Sequence, residues 1–545
     1  MKTHTVFNQV PPLVDYDAFG GNDALVDALA REGGAAFREE VAAFGARTGG
    51  AELIEHGRLA NQNPPRLKIF DRSGRRINAV EFHPSYHALM QTSLEAGLAG
   101  GPWTDHRPGA LVARVAKNHL MGQVEAGHGC PVTMTFAAVP ALRHSPDLAA
   151  EFEPKITAPA YDRRNLPHGE KTALTVGMAM TEKQGGSDVR ANTTRAEADG
   201  EDFRLYGHKW FCSAPMCDLF LTLAYDDVGL SCFLVPRFQP DGTPNPMNLQ
   251  RLKDKVGNRS NASSEIEYHG AWARRVGEPG RGVPTIIDMV AHTRLDCING
   301  SAALMRHAVA QAVHHAQHRS AFKKRLIEHP LMQNVLADLA LESEAALALA
   351  MRMARAYEEG RTDPEAAALA RIGTAIGKYW VCKRTPATVY EAMECHGGNG
   401  YVEEHPLGRL YREAPLNSIW EGSGNVICLD VLRAMVREPA TVPALTAELN
   451  AARGLDPRYD AWVDATLKRF DDVATLELRA RRVVERLALA LQASILLRAG
   501  KSAVGEAFVA ARLSGGHLNF GTLDPGIDRA LLIGRADPHR AASAA

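Results

Sequence analysis

The chain has no excess of charge of either sign, and this limits the partners that it can attract over long distances. Its 62 basic and 63 acidic side chains leave a formal net charge of −1. A protein that binds nucleic acid through an overall basic field carries a clear positive excess. Any contact of this chain with DNA therefore requires a local basic patch.

Long apolar runs and paired cysteines are also missing. The most apolar late stretch, LALALQASILL, has about half of the ~20 residues that span a bilayer. The first residues, MKTHTVFNQVPPL, lack the apolar region of a secretory leader. We therefore expect a cytoplasmic protein that does not enter a membrane. The eight cysteines show neither a CxxC pair nor a metal-ligand spacing, which predicts reduced thiols and no metal site.

The common nucleotide and zinc motifs are absent as well. No GxGxxG follows a predicted strand, and Gly500-Lys501-Ser502 is not a P-loop because Ile495 stands where the first glycine belongs. His314, His315 and His318 lack the glutamate of an HExxH zinc site. We expect these three histidines to form a polar helix face.

The pattern of apolar and turn residues changes along the chain, from helical to strand-like and back to helical. With 545 residues it exceeds the size of a single core. Helical patterns broken by proline and glycine fill residues 1–172, and short β-branched or aromatic runs fill residues 173–284. Helical periodicity returns in 285–440 and continues in an extension, 441–545. The order of helices, strands and helices predicts an α+β protein with separate α and β domains.

The individual runs support this division. Between 285 and 440 the apolar residues recur every three or four positions, with Gly360 as an expected helix end; examples are Leu336, Leu339, Ala340, Leu347, Ala350, Met351 and Ala354. The expected strands are contained in TALTVGMAM, FRLYGHKWF, LFLTLAY, LSCFLVP and EIEYH.

Two stretches of the predicted β domain could bind a ligand. MTEKQGGSDVR, residues 180–190, offers backbone N–H groups and hydroxyls at a glycine-rich turn, which suits an anion or a heteroaromatic edge. An ordinary hairpin turn would have the same composition. GHKWFCSA, residues 207–214, adds the Trp210-Phe211 pair, which could equally be part of a core.

The segment SIWEGSGN places one acid, Glu421, between a tryptophan and a run of small residues. A carboxylate buried there would be costly unless it has a chemical task. The alternative is a partly exposed carboxylate that caps the turn before NVICLDVLR.

The chain resembles the acyl-CoA dehydrogenase family of flavoproteins in these stretches and in two more. The further stretches are RSAFKKRLIEHPLMQNVLADL (319–339) and CHGGNGYVEEHPLGRLYREAPLNSIWEGSGN (395–425). Within that family, NQVPPL, CPVTMTFAAVP, LKDKVGNRSNAS and NSIWEGSGNVICLDVLR are similar to the AidB-type branch, which is linked to the adaptive response to DNA alkylation. The resemblance spans the chain and is weakest after residue 440.

The resemblance implies an acyl-CoA dehydrogenase-like fold, with a N-terminal helical domain, a central β-barrel or sandwich domain, a C-terminal helical bundle and an extra helical extension. It also implies FAD, bound between the β domain and the helical bundle and completed by a second subunit of a homotetramer. The residues that it assigns to FAD are Met180, Thr181, Gly186, Ser187, Phe211, Ser213, Arg319, Phe322, Trp420, Gly422, Ser423 and Asn425.

By the same resemblance Glu421 is the base that removes the α-proton of an acyl thioester, and Arg294 contacts the substrate. Burial against Trp420 is expected to raise the pKa of Glu421 from about 4.3 toward neutrality. Thr293 occupies the position where some relatives carry the base instead, which favours Glu421. Ala291 and Glu394 replace residues that many relatives use, so we expect weak turnover of acyl-CoA.

A basic stripe in the extension is the candidate for DNA contact. Arg479, Arg482 and Arg486 of ELRARRVVERL would line one face of a helix. The alternative is a solvated face whose arginines pair with Glu477 and Glu485.

The function that the resemblance implies is that of an AidB-type flavoprotein of alkylation defence. It would bind double-stranded DNA and weakly dehydrogenate short branched acyl-CoA of the isovaleryl type. Two alternatives remain: a metabolic acyl-CoA dehydrogenase without a role at DNA, and a flavin-binding scaffold without catalysis.

Overall fold

The computed structural model of the protein describes residues 3–500, 502–515 and 518–540, so Lys501 of the Gly500-Lys501-Ser502 triplet lies outside the described residues. The chain divides into two compact units. The helical unit consists of Met1–Ala51, Pro108–Val124 and Arg294–Ala545, and the sheet unit consists of Glu52–Arg107 and Glu125–Thr293.

Helices dominate the described residues. In chain order they are α1 (Asp23–Arg31), α2 (Arg38–Thr48), α3 (Ala51–Gln62), α4 (Pro84–Glu95), α5 (Gly101–Thr104), α6 (Ala110–Val124), α7 (Gly129–Leu142), α8 (Pro146–Ile156), α9 (Gly282–His318), α10 (Pro330–Glu359), α11 (Pro364–Glu394), α12 (Pro406–Glu413), α13 (Gly424–Arg437), α14 (Thr441–Asn450), α15 (Pro457–Leu467), α16 (Ala480–Arg498), α17 (Ser502–Arg512) and α18 (Arg529–Arg535).

The strands are β1 (Arg66–Phe70), β2 (Arg76–Glu81), β3 (Val176–Ala179), β4 (Arg195–Asp199), β5 (Asp202–Ser213), β6 (Leu219–Tyr225), β7 (Leu230–Pro236), β8 (Met247–Leu252), β9 (Ser263–Val276), β10 (Ser320–Ala321) and β11 (Lys324–Arg325). Each of the five runs expected to contain a strand does so, in β3, β5, β6, β7 and β9, which confirms those predictions.

The sheet unit is built on seven strands in the order β3-β6-β4-β5-β9-β7, with β8 paired to β9. An additional pairing of β6 with β7 closes five of the strands into a ring. Strands β6 and β7 are almost completely buried, which is why they read as continuous apolar runs in the sequence. The sheet has two parallel pairings, β3 with β6 and β4 with β6, and its other pairings among the described strands are antiparallel.

A β-hairpin interrupts the region that the sequence predicts to be helical. Strands β1 and β2 pair antiparallel, and the guanidinium of Arg76 donates a hydrogen bond to the Leu249 carbonyl of β8 at 3.1 Å. Most of the hairpin is exposed and carries charged side chains. The sequence therefore lacks the apolar alternation that would have indicated two strands.

In the helical unit the long helices α9, α10 and α11 have 37, 30 and 31 residues. All seven apolar positions predicted from the periodicity lie buried on α10. Gly360 follows the end of α10 as predicted. A side chain at Gly360 would lie 2.8 Å from the Cα atom of Ala367, so the glycine permits the close approach of α10 and α11.

Buried ion pairs hold the predicted helical extension to these long helices. The Arg512 guanidinium of α17 reaches the carboxylates of Asp338 and Glu342 on α10, and Arg384 of α11 also pairs with Glu342 at 3.0 Å. Burial alone would raise the pKa of Glu342, but the two guanidinium groups lower it to about 2. Arg512 of the extension is thus neutralised by carboxylates of α10.

The length and the apolar content of the helices decide whether any of them could cross a membrane. Among the residues that the structure describes, every helix is too short or too polar to cross a lipid bilayer.

We expect Arg512→Met to destabilise the protein by about 3–5 kcal/mol, because it leaves two buried carboxylates with too little positive charge. Urea unfolding at pH 7 measures this difference. The difference should be constant above about pH 4.5 and shrink as the pH falls toward 2, because Glu342 then takes up a proton in both proteins.

The matched control is Arg453→Met, which removes an exposed ion pair with Asp464 and should cost less than about 1 kcal/mol. Equal losses in the two variants would contradict the assigned role of Arg512.

Candidate active site

The glycine-rich turn of the sheet unit is organised around a buried acid. Glu182 is fully buried, pairs with the Lys209 ammonium at 2.9 Å and accepts hydrogen bonds from the backbone N–H groups of Thr193 and Thr194. Burial alone would raise the pKa of Glu182, but Lys209 and these donors lower it to about 2. The acid therefore fixes the base of the turn, while the following residues, 183–185, are exposed.

The residues that the sequence assigns to the flavin ring lie on neighbouring segments of this unit. The Trp210 N–H donates to the Thr181 carbonyl at 2.8 Å, which places Met180–Thr181 beside β5. A side chain at Gly186 would lie 2.3 Å from the Thr181 hydroxyl, so this position requires glycine. Ser187 is exposed and Ser213 is half-buried.

Trp210 and Phe211 do not belong to the core, which was one of the two interpretations of this pair. Phe211 is 50% exposed and Trp210 is half-buried. The Lys253 ammonium lies 3.1 Å from the centroid of the Trp210 ring and 4.8 Å from that of Phe211, and it pairs with Glu265 at 2.6 Å. Sequence reasoning missed Lys253 because a cation on an aromatic face has no fixed spacing along the chain.

In the helical unit, the candidate base lies on a strained turn. Glu421 adopts a left-handed conformation with φ of 57°, and Gly422 follows with φ of 105°. Such a conformation costs roughly 1–3 kcal/mol for a residue other than glycine, and it persists only where the surroundings impose it. Glu421 is half-buried, less than the sequence analysis expected.

Two cations impose this conformation by binding three consecutive carbonyl groups. The Lys378 ammonium donates to the carbonyls of Trp420, at 2.7 Å, and of Gly422. The Arg294 Nε–H donates to the carbonyl of Glu421 at 2.9 Å. Its Nε is thus bound to the turn, and the contact of Arg294 with substrate stays a prediction.

The charge of Arg294 is balanced by a local network. Its guanidinium pairs with Asp430 at 2.9 Å, Asp430 also pairs with Arg371 at 2.9 Å, and Arg371 pairs with Glu438 at 3.1 Å. Lys378 was missed in the sequence, although a lone lysine within the apolar run AIGKYWV is a signal for a buried cation.

The residues after the turn lead into α13. Ser423 is exposed at the N-terminal cap of α13, and its hydroxyl makes no capping hydrogen bond among the described residues. Asn425 is exposed, and its Oδ1 accepts a hydrogen bond from Arg481 Nε at 2.8 Å. Trp420 is half-buried and donates from Nε1 to Asn417 at 2.9 Å.

Arg319 and Phe322 lie on the turn that follows α9. The Asn8 side chain donates to the Ser320 carbonyl at 2.8 Å and accepts from the Ser320 N–H at 2.8 Å, and the Asn8 carbonyl accepts from Arg319. Phe322 is 92% exposed and has a left-handed backbone, with φ of 51°.

These residues fit the chemistry of a flavin dinucleotide. In the sheet unit, the exposed Phe211 face is accompanied by hydroxyls of Thr181, Ser187 and Ser213, as a flat apolar ring with a polar edge requires. In the helical unit, the unused hydroxyl of Ser423 lies at a helix N-terminus, a favourable place for phosphate.

The three arginines predicted to contact DNA have different environments. Arg479 donates to the carbonyls of Arg469 and Asp472, at 3.2 and 2.6 Å. Arg486 lies over the Trp462 ring, 3.5 Å from its centroid, and burial lowers its pKa to about 10. Arg482 is exposed, so the stripe does not present three equivalent side chains to a partner.

The histidines of α9 do not form the predicted polar face. His314 and His315 are buried, and His314 bonds to His539 at 2.7 Å and to the Pro11 carbonyl at 2.8 Å. The prediction was wrong because segments distant in sequence cover this end of α9. In the described part of the chain no group of three or more His, Cys, Asp or Glu side chains could hold a metal ion.

Comparison with known families agrees with this geometry. Residues 8–163 match the family described as adaptive response protein AidB, N-terminal domain. Residues 177–271 match the middle domain of acyl-CoA dehydrogenases, and residues 280–436 match their C-terminal domain.

Individual relatives extend the match over most of the chain. The AidB protein of Escherichia coli (strain K12) is 48% identical over 465 residues, which are 84% of this chain and 85% of that protein. Acyl-CoA dehydrogenase family member 11 of Caenorhabditis elegans is 33% identical over 398 residues, 70% of this chain and 64% of that protein.

Among solved structures, Caenorhabditis elegans ACDH-11 in complex with C11-CoA has a TM-score of 0.84 and 25% identity, and the match covers 99% of this chain and 94% of that chain. This likeness confirms the predicted fold class. The chain therefore belongs to the acyl-CoA dehydrogenase family of FAD-dependent oxidoreductases that act on acyl-CoA, and within it to the AidB branch.

Proposed function

We propose that Glu421 is the base with which this protein dehydrogenates acyl-CoA thioesters. The observation that carries the proposal is the turn on which Glu421 lies. Its left-handed backbone is held by Lys378 and Arg294, which bind the carbonyls of residues 420–422. Strained residues held by their surroundings are concentrated at active sites.

The reaction divides between the protein and its cofactor. FAD, when bound, accepts the hydride that leaves the β-carbon of the acyl chain. The Glu421 carboxylate would take the proton from the α-carbon, so that a C=C bond forms between the two carbons. Phe211, Ser187 and Ser213 would hold the ring system, and Ser423 with Asn425 the nucleotide part.

For the substrate we propose acyl-CoA, with short branched chains of the isovaleryl type turned over slowly. The ACDH-11 structure with C11-CoA supports an acyl thioester as ligand. Ala291 and Glu394, which stand where many relatives have other side chains, support slow turnover. A metabolic dehydrogenase would instead turn over one acyl-CoA rapidly.

We also propose that the active protein is a homo-oligomer, and a tetramer by family resemblance. Phe322, Leu331 and Tyr401 of the helical unit are 92%, 82% and 85% exposed. Large apolar side chains that are this exposed favour a covering partner. A second copy of the chain would also bring its FAD to Arg319 and Phe322.

A second candidate function is protection of DNA from alkylation. The match of residues 8–163 to the adaptive response protein AidB favours it. Contact with duplex DNA would use the exposed Arg482 of α16, whereas Arg479 binds carbonyls of the preceding loop and Arg486 lies over the Trp462 ring.

We expect Glu421→Gln to slow anaerobic bleaching of the flavin absorbance by isovaleryl-CoA about 10²–10⁴-fold, because the amide cannot accept the α-proton. FAD content should stay as in the wild type. Glu404→Gln, at an exposed acid of the helical unit, is the control. Rapid bleaching by the Glu421 variant would refute the assignment of the base, and a wild type that binds FAD without any bleaching would indicate a scaffold.

If the protein binds duplex DNA, Arg482→Ala should reduce the salt dependence of binding by about one ion, since each phosphate contact contributes roughly that amount. Fluorescence anisotropy between low and physiological salt measures the slope. Arg453→Ala, an exposed arginine elsewhere in the extension, should leave the slope unchanged. Binding that does not depend on salt would argue against phosphate contact.

A further inference from the structure

Lys378 is an unusual residue for the interior of a protein. It is 1% exposed on α11, and among the described residues its ammonium contacts no carboxylate within ion-pair distance. Its partners are two neutral carbonyl groups, those of Trp420 and Gly422. A buried ammonium that is not paired with an anion carries a cost of several kcal/mol, so its position requires a physical reason.

Its location supplies that reason. The two carbonyls lie on either side of Glu421, the only residue of the turn with an acidic side chain. Without a donor between them, both carbonyls would be left without their partner, and the left-handed conformation of Glu421 would lose its support.

Of the cations near the turn, the two arginines have carboxylate partners within ion-pair distance, whereas the Lys378 ammonium binds only carbonyl groups among the described residues. Arg294 also binds the turn, but Asp430 neutralises it, and Glu438 neutralises the neighbouring Arg371. Two carboxylates raise the pKa of the neighbouring Cys297 thiol, those of Asp296 and Glu421, and Asp296 is already paired with the guanidinium of Arg114. The Glu421 carboxylate, on the turn whose carbonyls Lys378 binds, is therefore the acid that we assign to this ammonium.

The Lys378 ammonium and the Glu421 carboxylate both act on the thiol of Cys297 on α9, so the two groups lie near the same thiol. Burial raises the pKa of this thiol well above its usual range, the Lys378 ammonium lowers it, and the Glu421 carboxylate raises it. On α11 the buried Cys382 also senses the ammonium, which lowers the pKa of a thiol that burial raises. Both thiols stay neutral near pH 7 and do not compete with Glu421 for the charge of Lys378.

The groups that approach the start of α13 come from two helices. Tyr379 and Lys383 of α11 and Arg481 of α16 approach Gly424, where a side chain would meet them at 3.1–3.5 Å. None of these is an acid, so they do not neutralise Lys378.

We propose that Lys378 is a positioning residue for the base: its ammonium binds the carbonyls on both sides of Glu421, fixes the backbone from which the carboxylate projects, and favours the ionised carboxylate. The inference rests on the proposed role of Glu421. It goes further by assigning to a buried lysine of another helix both the geometry and the charge state of that base.

The test compares the wild type with Lys378→Met, which keeps the length of the side chain but removes the ammonium. The rate of anaerobic flavin reduction by isovaleryl-CoA is measured as a function of pH. Loss of the nearby cation makes the ionised carboxylate less favourable, so the limb of the profile that reports the base should move up by about one pH unit. Loss of the fixed backbone should lower the plateau rate about 10–100-fold.

A second variant separates charge from geometry and covers a failure of Lys378→Met to fold. Lys378→Arg keeps the cation, so its pH limb should stay at the wild-type position while its plateau rate falls. Lys117→Met, which removes another buried lysine of the helical unit, one that pairs with Glu40, should change neither quantity.

An unmoved pH limb in Lys378→Met, or a shifted limb in Lys378→Arg, would overturn the proposal. A merely structural role predicts a lower FAD content or melting temperature in Lys378→Met with the limb unchanged, which also overturns it. Failure of the proposed function looks different, because Glu421→Gln would then reduce the flavin as rapidly as the wild type does.

Discussion

The candidate site depends on how a buried lysine and a half-buried arginine hold one turn. Lys378 and Arg294 donate to three successive carbonyl groups and thereby stabilise a left-handed conformation at Glu421 that the residue would otherwise avoid. Both cations come from long helices whose apolar sides form the core of the helical unit. The geometry of the base is therefore determined by helix packing, and a change in that packing would alter the backbone conformation of the turn.

Charged side chains are paired away from water elsewhere in the molecule as well. Glu182 is buried under the glycine-rich turn with Lys209, and Arg512 is buried with acids of α10. In each case a charged side chain is taken out of water and given several partners, as burial of a charge requires. In these two places the charges serve to fix a turn and to join helices.

Comparison of sequence and structure shows which kinds of prediction succeed. The long helices and the buried strands were predictable because their apolar residues repeat with the period of the element. The hairpin β1–β2 was not, because it is mostly exposed and polar. The DNA-contacting stripe was predicted from helical spacing alone, and spacing does not reveal that Arg486 stacks on Trp462 or that Arg479 binds backbone carbonyls.

By itself the sequence determined the succession of a helical, a β and a second helical region, the family and the position of Glu421 on a turn rich in small residues, because these depend on local pattern and on motifs read along the chain. Only the tertiary structure decided the backbone conformation of Glu421 and the part that Lys378 plays in it. The physical reason is that a hydrogen bond to a carbonyl depends on a distance of about 3 Å. Which donor of α11 comes that close to the turn is decided by how the helices pack.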